Sequence, residues 1–168
     1  PSRDGRELLR EMLPPLLRDA PEAGIVVVDN GSSDGTVEWL ARDYPAIRAL
    51  ESTEPLSFAQ AVNLGLCEAR TSRTLLLNND MIVQPGFVAA LGAAFDRVPD
   101  LFCATAQIVF PPGARREETG KAVWRRANEM DFPVRCDEPL PDEGLTWVLY
   151  GSGGCSLFDT EKLLARGG

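Results

Sequence analysis

The sequence predicts an α/β domain built on a mainly parallel sheet with helices packed on both faces. Three observations carry this expectation. Ile25-Val26-Val27-Val28 and Leu75-Leu76-Leu77 are short apolar runs without polar alternation, the pattern of strands buried on both faces. Each run stops abruptly at polar turn formers, Asp29 to Thr36 after the first and Asn78-Asn79-Asp80 after the second. Stretches with apolar residues at helical spacing separate the runs, and a repeated strand–helix order marks a parallel sheet.

The elements follow in order. Leu8, Leu9, Met12, Leu13, Leu16 and Leu17 predict an amphipathic helix over 4–18, which Pro14 and Pro15 should kink or split. After the first strand, Ser33 is the expected N-cap of a helix over 34–43 carrying Val37, Trp39 and Leu40. Residues 47–50 read as a second short strand. Residues 58–70 read as a helix through Phe58, Val62, Leu66 and Ala69. After Leu77, Pro85-Gly86 precedes a helix through Phe87, Leu91, Ala94 and Phe95, and 101–110 reads as a further strand. Residues 111–146 are rich in Pro, Arg, Asp and Glu and form a long surface excursion, with a short helix around 121–130. Its Trp124, like Trp147 beyond it, suits either stacking on a sugar ring or filling the core, and the core is the preferred place for Trp147. Residues 147–150 read as a strand that enters Gly151-Ser152-Gly153-Gly154, followed by apolar chain and a last helix over 160–166 capped by Asp159.

Composition narrows the chemistry. The chain has 168 residues, 44% of them hydrophobic, which suits one domain with a core. A net charge of −8 argues against nucleic acid as a partner, because duplex affinity rests on Lys and Arg neutralising phosphates. There is no His, so Ser-His-Asp and Cys-His catalysis is excluded. The four cysteines, Cys67, Cys103, Cys136 and Cys155, lie far apart and read as reduced and mostly buried, not as a zinc site. Carboxylates, hydroxyls, amides and a hard metal ion are the catalytic parts left. No run approaches the roughly 20 apolar residues of a membrane span, so the expected location is cytoplasmic.

Ligands of open α/β sheets collect outside the carboxyl ends of the strands. This singles out Asp29 and Asn30 at the first strand tip and Asn79 and Asp80 at the other. A strand tip followed by a helix N-terminus suits a phosphate or ribose, although neither G-x-G-x-x-G nor a P-loop is present. Each tip also reads as an ordinary Asx or capped turn. Asn63, an amide on an apolar helix, reads first as a satisfied core residue.

Three segments together, VVVDNGSSDGT (26–36), LLLNNDMIVQPGF (75–87) and GSGGCSLFDTEKLLARGG (151–168), with SFAQAVNLGL (57–66) between the first two, resemble the family 2 glycosyltransferases of the GT-A fold. The resemblance implies a GT-A-like, Rossmann-like sheet and an inverting transfer of sugar from a nucleoside-diphosphate donor to a saccharide or lipid-linked saccharide acceptor, as in cell-surface polysaccharide assembly. It places Asp29, Asn30, Ser32, Asn63, Asn79 and Asp80 at the nucleotide-sugar site, with Asp80 as the carboxylate that binds Mg²⁺ or Mn²⁺ on the donor diphosphate. Gly153 and Gly154 fall on the acceptor side. Many members carry Asp where Asn30 stands, which leaves the nucleotide base open. A lipid-linked acceptor implies peripheral association with the inner face of the membrane.

The same resemblance implies that 1–168 is a single incomplete domain, its opening strand preceding Pro1 and its general base following Gly168. Asp131, Asp137 and Asp142 match that base by residue type alone. Alone, the chain is then expected to be inactive. Two other readings share the architecture. A non-catalytic carbohydrate- or partner-binding module would lack an acidic pair soon after Gly168. A sugar nucleotidyltransferase would need a Gly-rich loop with Arg or Lys after the first strand, and none is present.

Overall fold

The computed structural model describes residues 1–108, 124–126, 129–130, 148 and 150–167. In chain order these form α1 (Arg6–Asp19), β1 (Val26–Asp29), α2 (Thr36–Asp43), β2 (Arg48–Glu51), α3 (Phe58–Leu66), β3 (Arg73–Leu77), α4 (Phe87–Arg97), β4 (Cys103–Thr105), β5 (Trp124–Arg126), β6 (Glu129–Met130), β7 (Cys155–Asp159) and α5 (Thr160–Leu164). The expected α/β class is what the chain adopts.

β1 and β2 pair in parallel, Val26 opposite Arg48 through Asp29 opposite Glu51. On the other edge of β1, Ser2 forms a parallel bridge with Asp29: its N–H donates to Val28 O at 2.8 Å and its carbonyl accepts from Asn30 N–H at 2.7 Å. β3 and β4 run in the same direction, and β7 lies antiparallel between them.

Helices cover both faces of β1 because successive strand side chains point to opposite sides. Val27 joins Leu9 and Leu13 of α1 and Trp39 and Leu40 of α2 in one buried cluster. Val28 instead meets Gly65 of α3, where a Cβ would stand 3.1 Å from Val28 Cγ2. Leu9, Leu13 and Leu40 are fully buried, and each contributes about 1.5–3 kcal/mol through burial. A second cluster, Leu91 and Phe95 of α4 with Leu157 of β7, packs against Leu75 of β3.

Several local expectations are corrected. α1 runs unbroken through Pro14 and Pro15. The carbonyls those prolines leave without donors belong to Arg10 and Glu11, which are exposed to water. α2 begins at Thr36, not Asp34, and Ser33 does not cap it. Gly35 stands at the N-cap with φ 76°, and Asp34 Oδ1 accepts the Thr36 N–H at 3.0 Å. α3 ends at Leu66, four residues early, where Arg70 Nη1 reaches back to the Cys67 and Ala69 carbonyls. β4 covers only Cys103–Thr105 of the expected strand, whose last two residues lie outside the described part. Val148 and Tyr150 are not in a strand, and Trp147 lies outside the described residues. Where a short helix was expected around 121–130, the described pieces form an antiparallel pair, Trp124 opposite Met130 and Arg126 opposite Glu129. Cys155 is buried, Cys103 half-buried and Cys67 exposed, so the thiols are less uniformly internal than expected. Cys136, Asp131, Asp137 and Asp142 lie outside the described residues. Asp159 caps α5 as expected, accepting the Lys162 N–H.

One helix start is held from far away. Gly86 precedes α4 without a side chain of its own to cap it, and Asp19, the last residue of α1, accepts the N–H groups of Gly86 and Val88. This long-range cap ties the β3–α4 connection to α1.

Candidate functional site

The tips of β1 and β3 are brought to one rim by a closed circuit of contacts. Asn30, just past β1, locks its amide onto the backbone of Leu56: Nδ2 donates to Leu56 O at 2.9 Å and Oδ1 accepts Leu56 N–H at 2.7 Å. Two residues on, the Phe58 ring lies against Gly153, with Cε1 3.4 Å from where a Cβ would be. Gly154 O accepts the Asn78 N–H at 2.8 Å, which pins the glycine segment to the end of β3. Asn79 Nδ2 donates to Ser2 Oγ at 3.0 Å, and Ser2 returns to Asn30 through its backbone. Gly5 sits beneath this last contact, where any Cβ would overlap both Asn79 Nδ2 and Ser2 Oγ.

Two carboxylates on this rim stand in opposite environments. Asp29 is 1% exposed; its Oδ2 accepts the Ser32 N–H at 2.9 Å, while its Oδ1 is buried without a hydrogen-bond partner among the described residues. A buried acceptor left open costs roughly 1–3 kcal/mol, so it is a place where a ligand donor gains. Asp80 is exposed in the turn that follows Asn78, and it forms no hydrogen bond or ion pair with any described residue.

Of the remaining expected residues, Ser32 is on the rim through Asp29, and its Oγ accepts the Asp4 N–H. Asn63 is exposed on α3 and its Nδ2 donates to Gly167 O at 3.4 Å, so the reading of it as a core amide does not hold. Gly153 is exposed and Gly154 buried.

The loop after β1 is rigid because its own acids satisfy it. Asp4 Oδ1 accepts from Ser33 N–H and Oγ, and Asp34 accepts from Arg6 N–H through Oδ2 and from Thr36 N–H and Oγ1 through Oδ1. Burial pushes the Asp34 pKa up, but the Thr36 hydroxyl, the Arg6 and Thr36 N–H groups and the Arg6 charge outweigh it, so the carboxyl is held below its ordinary value. The amides of the α1 and α2 starts are therefore already partly used. The depression beside them, lined by Arg6, Ser32, Ser33, Glu38 and Arg42 among others, reaches the rim at Ser32 but includes neither Asp29 nor Asp80.

A divalent cation fits Asp80 in one particular way. No group of three metal-ligating side chains exists among the described residues, so the described part offers no cage. An exposed carboxylate preceded by the two neutral amides of Asn78 and Asn79, and unpaired among the described residues, offers one hard oxygen, which suits a cation that takes its other ligands from phosphates and water. Ser2, Gly5, Leu56 and Phe58 were missed as parts of the rim. Only the Ser57-x-x-Gln60 capping box that fixes Phe58 had a local signal in the sequence.

Residues 1–164 match the profile of Glycosyl transferase family 2. An uncharacterised protein of Sinorhizobium fredii, y4gI, is 26% identical over 120 residues, which is 67% of this chain and 13% of that protein. Among solved structures, the mannosyltransferase PcManGT of Pyrobaculum calidifontis, in complex with GDP-Man and Mn²⁺, superposes with a TM-score of 0.65 at 20% identity, over all of this chain and 45% of that one. TarS of S. aureus in complex with UDP superposes with a TM-score of 0.70 at 14% identity, over 99% of this chain and 47% of that one. TarS with UDP-GlcNAc gives 0.58 over 73% of this chain and 37% of that one. The chain thus spans less than half the length of these solved chains, and at such identities the likeness concerns the GT-A-type fold. With the profile running from Pro1 to Leu164, the chain belongs to glycosyl transferase family 2.

Proposed function

We propose that this chain is the donor-binding part of an inverting, divalent-metal-dependent glycosyltransferase that moves a sugar from a nucleoside diphosphate to a hydroxyl of a saccharide or lipid-linked saccharide. The observation that carries the reading is the rim itself, which joins an open buried acceptor at Asp29 and a free exposed carboxylate at Asp80 through Ser2 and Asn79. GDP-Man with Mn²⁺ in PcManGT and UDP-GlcNAc in TarS support the donor class.

Each residue has a chemical part. Asp29 Oδ1 accepts from a ribose hydroxyl or base N–H. Ser32 holds the other Asp29 oxygen and so fixes the carboxylate plane. Asn30 has one amide N–H left after binding Leu56, and it acts mainly by holding the 52–57 loop. Asn79 keeps its carbonyl oxygen for the ribose or a phosphate-bound water while its Nδ2 is tied to Ser2. Asp80 holds Mg²⁺ or Mn²⁺, which when bound neutralises the departing diphosphate. On the acceptor side Gly153 is exposed, while Gly154 is buried and shapes the segment by bonding its N–H to Ser152 Oγ and its carbonyl to Asn78. Asn63, exposed on α3, has one amide N–H and its side-chain carbonyl left for the donor beside its bond to Gly167 O.

No helix among the described residues is long and apolar enough to cross a membrane. We place the enzyme in the cytoplasm, at the inner face of the membrane where the acceptor is lipid-linked. The test is product analysis with the full-length protein, Mn²⁺ and a panel of UDP- and GDP-sugars. Release of the nucleoside diphosphate, abolished by chelator, with inverted anomeric configuration in the product by NMR, is the expected result. Donor binding without release for any acceptor would favour the non-catalytic module.

A further inference from the structure

We propose that Phe58 is a stacking platform for the donor's sugar ring and so a specificity-determining residue; this rests on the donor-binding reading above. The position is held from three sides. Upstream, Asn30 fixes Leu56 by both of its amide atoms. At the helix start, Ser57 and Gln60 form a reciprocal capping box that sets the first helical residue, which is Phe58. On the far side the ring lies beside Gly153, so close that a Cβ added there would stand in van der Waals contact with Phe58 Cε1 at 3.4 Å.

Held this firmly, the ring is nevertheless 52% exposed. Two more exposed apolar side chains belong to segments of the same rim: Ile82, two residues after Asp80, at 60%, and Tyr150, beside Gly151, at 53%. Fixed apolar surface next to a free carboxylate and open glycine backbone suits a ligand with both characters. A pyranose has an apolar C–H face and a polar hydroxyl edge, and an aromatic ring takes the face while carboxylate and backbone take the edge. The sugar is joined directly to the diphosphate, so a cation-bound diphosphate at Asp80 would bring it to the rim that Phe58 lines through Gly153, Gly154 and Asn78.

The test compares wild type with Phe58→Ala, Phe58→Leu and Phe58→Tyr in the full-length protein, by calorimetry with Mn²⁺, using UDP against UDP-GlcNAc and UDP-glucose, and GDP against GDP-mannose. The expected result is that Phe58→Ala weakens the best-bound nucleotide sugar about threefold to tenfold while its nucleoside diphosphate changes less than twofold, with Phe58→Leu intermediate and Phe58→Tyr close to wild type. Equal weakening of nucleotide and nucleotide sugar would assign the ring to the base and overturn the proposal. A lowered Tm with both affinities unchanged would make the ring a packing residue and overturn it as well. If wild type binds none of these nucleotides, the donor-binding reading fails together with its refinement, an outcome distinct from either result at Phe58.

Discussion

The tips of β1 and β3 carry the same kind of residues and treat them in opposite ways. After β1, nearly every polar group of residues 29–36 is engaged by the chain itself: Asp34 caps α2, Asp4 holds Ser33, Ser32 holds Asp29, and Asn30 holds Leu56. A single buried oxygen, Asp29 Oδ1, is left over. After β3, Asp80 stands in water with no described partner. The first tip is a finished mould with one open acceptor, and the second is a charge without a described partner. On the function proposed above, the first would recognise the nucleoside and the second would hold the cation that serves the leaving group, so preorganisation and open coordination would divide the two tasks.

That contrast can be broken first at Asp29. Asp29→Ala removes the open acceptor and the Ser32 anchor together, and a hydrogen bond to a charged group is worth about 1.5–3 kcal/mol, so nucleoside diphosphate affinity should fall roughly tenfold to a hundredfold by calorimetry. Asp29→Asn, which can still accept from Ser32, should keep the fold's Tm while losing part of the affinity. A Tm loss without an affinity loss would reduce Asp29 to a turn former.

A smaller effect is expected at Asp34, which shapes the mould without touching the ligand. Asp34→Ala leaves Thr36 N–H and Arg6 N–H unpaired and should cost about 1 kcal/mol, as other helix caps do, lowering the Tm by a few degrees in thermal denaturation. Its pH dependence has a definite sign. The folded pKa lies below the ordinary 3.8, so the carboxylate's contribution is fully present above about that pH and is lost as pH falls through the folded value. Asp34→Asn should therefore flatten the acid limb of the stability profile, and an unchanged limb would remove Asp34 from the account.

Much of this was legible in the sequence because it is local. The valine and leucine runs announced β1 and β3, and the polar residues that end them announced the two tips. Asp159 was readable as a cap because capping acts within three residues. What could not be read was set by distance along the chain. Asp19 caps α4 through Gly86, 67 positions later, Ser2 meets Asn79 across 77, and Gly154 closes on Asn78. Asn63 shows the converse: spacing on α3 suggested a core amide, but the helix leaves it exposed, bonded to Gly167 O. Ser33 failed as a cap because α2 starts only at Thr36, with Gly35 at its N-cap and Asp34 accepting the Thr36 N–H, while Ser33 turns its hydroxyl to Asp4.

The most direct test is calorimetric binding of UDP and GDP to the full-length protein with Mn²⁺ and with chelator, for wild type and Asp80→Asn. Wild type should bind at least one of them more tightly with Mn²⁺, by about a hundredfold or more given the several kcal/mol a bridging cation supplies. Asp80→Asn should bind in Mn²⁺ no better than wild type does in chelator. An Asp80→Asn protein that keeps the full Mn²⁺-dependent gain would contradict the assignment of the metal to Asp80.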